Sequence, residues 1–438
     1  MPGRSRRVDA TVRPVKSHDQ PPALFTLPAY HGTLAAVRCL GERGVRVTVA
    51  GPELFAEARW SRHASTRLFC PPTREPERLL EWLLAYGARN PGHVLYPAGD
   101  DTAWLYARHR DELSRHFRLY QPPVEVVYAL LNKRRLHDAC AAVGLRTPPT
   151  RIPDGEAELD RLAAELGFPL LVKPQTQVMH FPGGKGQVAS SPRELRAAYR
   201  RAVRGSSYAP LLREEDPEVV RPMLQAFRPE AVLGIYAVSG FVDETGEHAA
   251  LRASRKLLQK PRRLGVGLCF EEAEVEPALA DGLLALCRRL GYHGAFEAEF
   301  IQTPAGPLLI DFNPRYYGQM AFDIARGLRL PLLVHEAALG RRGRLRAAVD
   351  RARRRPAGTG VFCNRMDLWL VLRLQRLAGN MDAAEVARWR GWLDAHRGEV
   401  TDPLADGADR APQLAHLVAE CLRFLRHPRA FLRQAASA

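Results

Sequence analysis

The 438-residue chain lacks any CxxC pair and any HExxH, and its 7 cysteines are an odd number dispersed through apolar segments. This argues against a disulfide framework and against a short-spaced zinc site. Cys39, Cys70, Cys140, Cys269, Cys287, Cys363 and Cys421 read instead as reduced, buried thiols of a cytoplasmic protein. No run approaches the roughly 18 consecutive apolar residues of a membrane span, so none is expected. The opening MPGRSRRVDATVRPVKSHDQ has no apolar stretch before Ala23, so it is not a secretory signal and residues 1–21 read as a disordered basic tail. There is no internal repeat. Acidic residues are the minority, 48 against 64 Lys plus Arg, for a formal net charge of +16. A nucleic-acid binder is one reading of that excess. The arginines, however, run through every segment and are not interleaved with aromatics in a compact stripe, so no nucleic-acid partner is expected, and attraction of anionic substrates together with compositional bias accounts for the charge.

An apolar share of 46% and a charged share of 26% are those of a globular protein long enough for two or three folding units. From 22 to 125 short apolar strands alternate with helical segments: ALFTLPA, a helix near Leu34 to Glu42, Val45 to Ala50, then HVLYPAG and the helix TAWLYARHRDEL after Asp100-Asp101. Such alternation predicts a parallel sheet with crossovers, with Ala29-Tyr30-His31-Gly32 at the end of the first strand, where open sheets bind ligands or simply turn. Residues 126–340 mix helices and longer strands. From 341 to 438 an arginine-dense stretch leads into MDLWLVLRLQRLAG and LAHLVAECLRFLRHPRAFLRQ, which read as amphipathic helices packing on the rest, broken by Pro403, Pro412 and Pro428.

The densest chemistry lies in GAFEAEFIQTPAGPLLIDFNPR, Gly294 to Arg315. Phe296, Ala298 and Phe300 alternate with Glu297 and Glu299, and Ile310 and Phe312 alternate with Asp311 and Asn313, around the turn Thr303-Pro304-Ala305-Gly306. An antiparallel hairpin here would have an apolar platform on one face. Its other face would carry Glu299, Asp311 and Asn313, hard oxygen donors of the kind that hold Mg²⁺ against phosphates. A solvated outer face of an edge sheet would show the same alternation.

The run Asp311-Phe312-Asn313-Pro314-Arg315, followed by Tyr316-Tyr317-Gly318, resembles the acidic-x-Asn-Pro-Arg signature of the ATP-grasp enzymes, in their carbamoyl-phosphate-synthetase-like branch. Other parts resemble that family in the same order. Asn132-Lys133 with its helix and Lys173 in FPLLVKP look like the two ATP-contacting lysines. Phe181 to Gly186, with Gly183, Gly184, Lys185 and Gly186, looks like the glycine-rich phosphate lid. Gln225 and Phe227 look like the hinge that meets adenine, and Arg255-Lys256 with Gln259 and Gly265 like the basic strand before the metal hairpin. Where the family often has Glu after the hinge Gln this chain has Ala226, with Glu230 as a substitute. Glu297 is either a solvated bystander or a group behind the metal ligands.

The resemblance covers roughly 22–340. It implies a Rossmann-like α/β domain (22–125), a two-lobed α+β ATP-grasp domain (126–340) and a C-terminal helical region (341–438). It further implies an ATP- and Mg²⁺-dependent ligase, with Mn²⁺ as an alternative ion, that activates a carboxylate as an acylphosphate and joins it to an amine. Glu299, Asp311 and Asn313 would hold the metal. Arg315, Arg255 and Lys256 would hold the transferred phosphoryl group or the carboxylate. The partners would be small carboxylate and amine substrates, with a homodimer left open. A nucleotide-binding module without turnover is the alternative.

Overall fold

A computed structural model describes residues 20–181, 186–205, 207–232, 234–260, 265–355, 358 and 360–429. Gly183, Gly184 and Lys185 of the glycine loop, and residues 1–19 of the basic tail, lie outside the described residues.

The first sheet is parallel and four-stranded, in the order Ala64–Leu68, Val47–Ala50, Ala23–Phe25, Val94–Leu95. Its central strands are fully buried runs, as a sheet covered on both faces requires. Helices His31–Gly41 and Pro76–Arg89 lie between successive strands. The edge strand Ala64–Leu68 escaped the sequence reading because three of its five residues are exposed and it has no apolar alternation. The strand order reverses at Ala23–Phe25, so the loops after it and after Val94–Leu95 open on one crevice at the carboxyl ends. Tyr30 stands in the first loop, and Asp100 opens the helix Asp100–Arg108 that follows the second.

A second sheet, antiparallel, runs Thr150–Arg151, Met223–Ala226, Leu170–Lys173, Gln187–Ala189. Leu170 and Val172 pack against Leu162, Leu195 and Ala198 of two covering helices. The largest sheet has seven strands: Leu308–Asn313, Gly294–Ile301, Ile235–Val242, Ala249–Lys260, Val266–Ala273, Val361–Cys363 and Val400–Thr401. All its pairs are antiparallel except the last.

The C-terminal region is therefore not purely helical, since two of its segments extend this sheet. Val361–Cys363 is too short and too continuously apolar for a period to declare itself. The amphipathic runs do form helices, Arg365–Leu377 and Ala411–Arg426. Pro412 starts the second rather than breaking it, because proline in the first helical turn forfeits no hydrogen bond. Cys421 is exposed; the other six cysteines are buried. Among the described residues no helix is long and apolar enough to cross a membrane.

Candidate nucleotide and metal site

The hairpin forms as its alternation predicts, with Glu297 opposite Asn313, Ala298 opposite Phe312 and Glu299 opposite Asp311. Phe296, Ala298, Phe300 and Phe312 sit in a core shared with Leu136 and Cys140 of the helix Lys133–Ala141 and with Leu283 and Leu286 of the helix Pro277–Leu290. The carboxylates therefore face away from that core. One expectation fails: Ile310 is not on the platform. The register slips after Glu299, so that Phe300 pairs with Leu309 and Ile310 becomes the extra residue of a bulge. Leu309 takes the core position and Ile310 turns to line the site beside Asp311.

A cleft between the two antiparallel sheets collects most of the expected residues: Lys133, Lys173, Gln225, Phe227, Lys256, Glu299 and Asp311, with Gln259 and Gly265. Each is set by its element. Asn132 caps the helix Lys133–Ala141 by accepting from the backbone N–H groups of Arg134 and Arg135 at 3.1 and 3.3 Å. Lys133 follows as the first helical residue, and its Nζ donates to Asp311 Oδ1 at 2.6 Å. Lys173 ends a buried strand, and its Nζ donates to Gln225 Oε1 on the neighbouring strand at 2.9 Å. Gln225 Nε2 in turn donates to Thr150 Oγ1 at 3.0 Å. Lys256 pairs with Glu299. Gly186, the described end of the glycine loop, has φ +120°, and a Cβ there would meet Val172 O at 2.7 Å and Lys173 Cβ at 2.8 Å. Only glycine lets the loop lie that close to the lysine strand.

These charges are compressed and incompletely balanced. Burial, then the neighbouring Lys133, brings Lys173 down to about 7, with Asp311 pulling the other way. On Lys256 burial also opposes charge, but Glu299 and Glu297 outweigh it and raise its pKa. Glu297 is pushed up to about 7 by burial and by Glu299. It is not a solvated bystander, being 4% exposed and accepting from Asn313 Nδ2 at 3.1 Å and from Gln319. Asn313 sits one rung deeper than Asp311 and is itself buried.

Arg315 lies outside this cleft, at the crevice of the parallel sheet. Its Nε donates to Asp100 Oδ1 at 2.6 Å, its guanidinium donates to Tyr30 Oη at 3.2 Å and to Asn313 Oδ1 at 2.8 Å. It thus ties the deeper hairpin rung to the ligand end of the first sheet. Gly32 admits this junction, since a Cβ there would meet Tyr317 O at 2.5 Å.

Two expected residues fall elsewhere. Arg255 is exposed on the opposite side of its strand, because successive residues alternate faces and Lys256 takes the inner one. Glu230 is not among the residues lining the cleft; Arg228 and Ala231, on either side of it, are. His137 was not anticipated. It stands one helical turn after Lys133, and burial, then Lys173 and Lys133, holds it down at about 3 and hence neutral. Its i, i+4 spacing from Lys133 is the signal that could have found it. A second signal is composition: lysine occurs at 16, 133, 173, 185, 256 and 260 and nowhere else. In a chain that otherwise uses arginine, lysine is concentrated in this set.

The donors fit a magnesium nucleotide. Glu299 and Asp311 are hard oxygen ligands now paired with lysines, and Lys173 is a buried amine facing an amide. Phosphates arriving among the lysines would release both carboxylates for a divalent ion. A larger cavity, about 710 Å³, lies beside Arg46, Trp82, Tyr86, Arg89 and His93. It is at the amino ends of the parallel strands, away from the end where such sheets bind ligands, and no carboxylate lines it.

The fold and site define a mixed α/β protein with a lysine- and carboxylate-lined cleft between two antiparallel sheets. No protein-family model matches the chain. Its curated relatives include the carbamoyl phosphate synthase large chain of Thermus thermophilus, 31% identical over 269 residues, 59% of this chain and 24% of that protein. They also include the D-alanine–D-alanine ligase of Aromatoleum aromaticum, 32% identical over 187 residues, 42% of this chain and 55% of the ligase. The chain thus spans about a quarter of the first and about half of the second. Among solved structures, the biotin carboxylase domain of the Hydrogenobacter thermophilus 2-oxoglutarate carboxylase, in complex with MgADP, ADP and bicarbonate, superposes with a TM-score of 0.58 at 17% identity, covering 74% of this chain and 70% of that one. The L-amino acid ligase of Bacillus licheniformis gives 0.56 at 15% identity, covering 73% and 75%. The likeness to these solved structures shows a shared fold.

Proposed function

We propose that the protein is an ATP- and Mg²⁺-dependent ligase that activates a carboxylate as an acylphosphate and joins it to an amine. The observation that carries this reading is the cleft in which Lys133–Asp311 and Lys256–Glu299 pair beside the uncompensated Lys173. A purely structural cluster would gain by pairing all its charges. This one leaves a buried lysine amine facing an amide oxygen, which an anionic ligand would favour in its charged form.

In this reading Lys133 and Lys173 bind phosphate oxygens, and Gln225 and Phe227 border the base. Glu299 and Asp311, with Asn313 behind them, hold the metal ion, which when bound supplies charge neutralisation for phosphoryl transfer. Lys256, freed from Glu299, faces the transferred group. Arg315, fixed by Asp100 and Tyr30, holds the substrate carboxylate in the adjoining crevice. The carboxylate oxygen attacks the γ-phosphorus and ADP leaves; the amine then attacks the acyl carbon and phosphate leaves with the bond pair. The protein's share is positioning and fixed charge. With these roles goes a division into 22–125, 126–340 and 341–438. The relatives' names, a carbamoyl phosphate synthase and a D-alanine ligase, support the reaction class and leave the substrates to experiment.

The test is phosphate release from ATP and Mg²⁺ against pools of amino acids and small carboxylates, followed by product mass. Release that depends on an added acid and amine supports the ligase. ATP binding without release in any pool would favour a nucleotide-binding module.

A further inference from the structure

His31, Glu57, Asp367 and His416 come from four separate parts of the chain and meet at one seam. His31 opens the helix His31–Gly41, Glu57 opens the short turn Glu57–Trp60, Asp367 lies in the first turn of Arg365–Leu377, and His416 is on Ala411–Arg426. One ligating atom from each of His31, Glu57 and His416 lies within 4.8 Å of the other two. The rings of His31 and His416 are 5.8 Å apart. We propose that His31, Glu57 and His416 form a site for one zinc-type divalent cation that pins the helix Ala411–Arg426 to the parallel sheet, with Asp367 facing the other ring nitrogen of His416.

Three observations support a cation here. First, the cluster is half-buried to buried yet incompletely bonded. Glu57 is 5% exposed and His416 is 7% exposed. Among the described residues, Glu57 accepts from His416 Nδ1 through Oε1 at 2.5 Å, but its Oε2 has no hydrogen-bond partner. His416 Nε2 has none either, with Asp367 Oδ1 at 3.6 Å, too far for a hydrogen bond. Second, acidic charge gathers on both sides of one imidazole: Glu57 faces His416 Nδ1 and Asp367 faces its Nε2, with Lys260 the nearby cation on the Asp367 side. Third, the donor set of imidazole nitrogens and carboxylate oxygens is one that zinc takes. Bonds of about 2.0 to 2.2 Å to a tetrahedral ion place ligand atoms about 3.3 to 3.6 Å apart, so the outer pairs of a set lying within 4.8 Å draw in by about an ångström while Glu57 Oε1 and His416 Nδ1 move apart.

The seam is otherwise held by polar contacts. Arg38 Nε and Ser61 Oγ both donate to Asp409 Oδ2, at 2.9 and 2.7 Å, and the Arg62 backbone N–H donates to Asp409 Oδ1 at 2.8 Å. A cation would add a fixed point at the same junction. The ligands are spread over 385 positions, from His31 to His416, so no local spacing reveals them. Absence of a short-spaced zinc motif therefore does not bear on this site.

The test uses the full chain carrying Cys421→Ser, which removes the one exposed thiol, stripped with a chelator and titrated with Zn²⁺ and with Co²⁺. The expected result is one equivalent bound, a Co²⁺ visible spectrum of a tetrahedral nitrogen–oxygen site, and a higher thermal midpoint with metal. His31→Gln and Glu57→Gln should each weaken binding by at least about tenfold and His416→Gln should abolish it, while Asp311→Asn leaves it unchanged. Circular dichroism of the metal-free variants separates lost ligation from lost folding, and the two milder variants keep the test valid if His416→Gln unfolds. Absence of stoichiometric binding, or equal affinity in the folded ligand variants, would overturn the proposal.

Discussion

Lys173→Met should raise the stability of the nucleotide-free protein near neutral pH while weakening ATP binding. A lysine kept for structure would lose stability when replaced. Lys173 is 7% exposed and its pKa falls from 10.5 to about 7. At about 1.4 kcal/mol per tenfold in proton affinity, holding it charged costs on the order of 5 kcal/mol. Methionine fills the same stem without that cost, but it orphans Gln225 Oε1, at about 1 to 3 kcal/mol. The net below pH 7 is a gain of about 2 to 4 kcal/mol.

The sign follows from linkage. Between about 7 and 10.5 the unfolded chain binds the proton that the folded chain has released, so wild-type stability rises with pH across that window through this group. The methionine variant lacks the rise. Its advantage should be full below pH 7 and gone by about pH 10, where the orphaned amide makes it the less stable protein. Binding moves the opposite way: losing a charge-assisted contact worth about 1.5 to 3 kcal/mol weakens ATP about ten- to a hundredfold. Wild-type ATP binding at pH 8 should also take up close to one proton, read by calorimetry in buffers of different ionisation enthalpy. Denaturant unfolding of both proteins from pH 6 to pH 10 is the deciding assay. Parallel stability curves would refute the argument.

Lys256→Met should abolish Mg²⁺-dependent phosphate release while Arg255→Ala leaves it unchanged, since the two residues occupy opposite strand faces; equal losses in a turnover assay would contradict the placement. Asp311→Ala should abolish turnover and keep the fold, whereas Asn313→Ala, buried between Glu297 and Arg315, should also cost about 1 to 3 kcal/mol in thermal or denaturant unfolding. Arg315→Lys keeps the charge but loses the fork onto Asp100, Tyr30 and Asn313. It should raise the KM for the carboxylate at least about tenfold, with ATP affinity unchanged by calorimetry.

Much of this was legible because it is local. Strand–helix alternation announced the parallel sheet. The alternation of Glu297, Glu299, Asp311 and Asn313 against Phe296, Phe300 and Phe312 announced the hairpin and its two faces. What failed was phase. The bulge at Ile310 reverses which of Leu309 and Ile310 meets the core, and either alternation is equally apolar on paper. Arg255 was read with Lys256 as a pair, although adjacent strand residues cannot share a face. The link from Arg315 to Asp100 joins residues 215 positions apart, and it depends on how the parallel sheet docks against the hairpin, which no window of sequence contains. Glu57 was passed over for the same reason: its hydrogen-bond partner His416 lies 359 positions away.

The most direct test of the account is the fate of the substrate's carboxylate oxygen. With the acid and amine found by phosphate release, the carboxylate is labelled with heavy oxygen and the released phosphate is weighed. Activation as an acylphosphate transfers label from the carboxylate to the phosphate, with ADP as the nucleotide product. Unlabelled phosphate, or AMP and pyrophosphate in place of ADP, would contradict it.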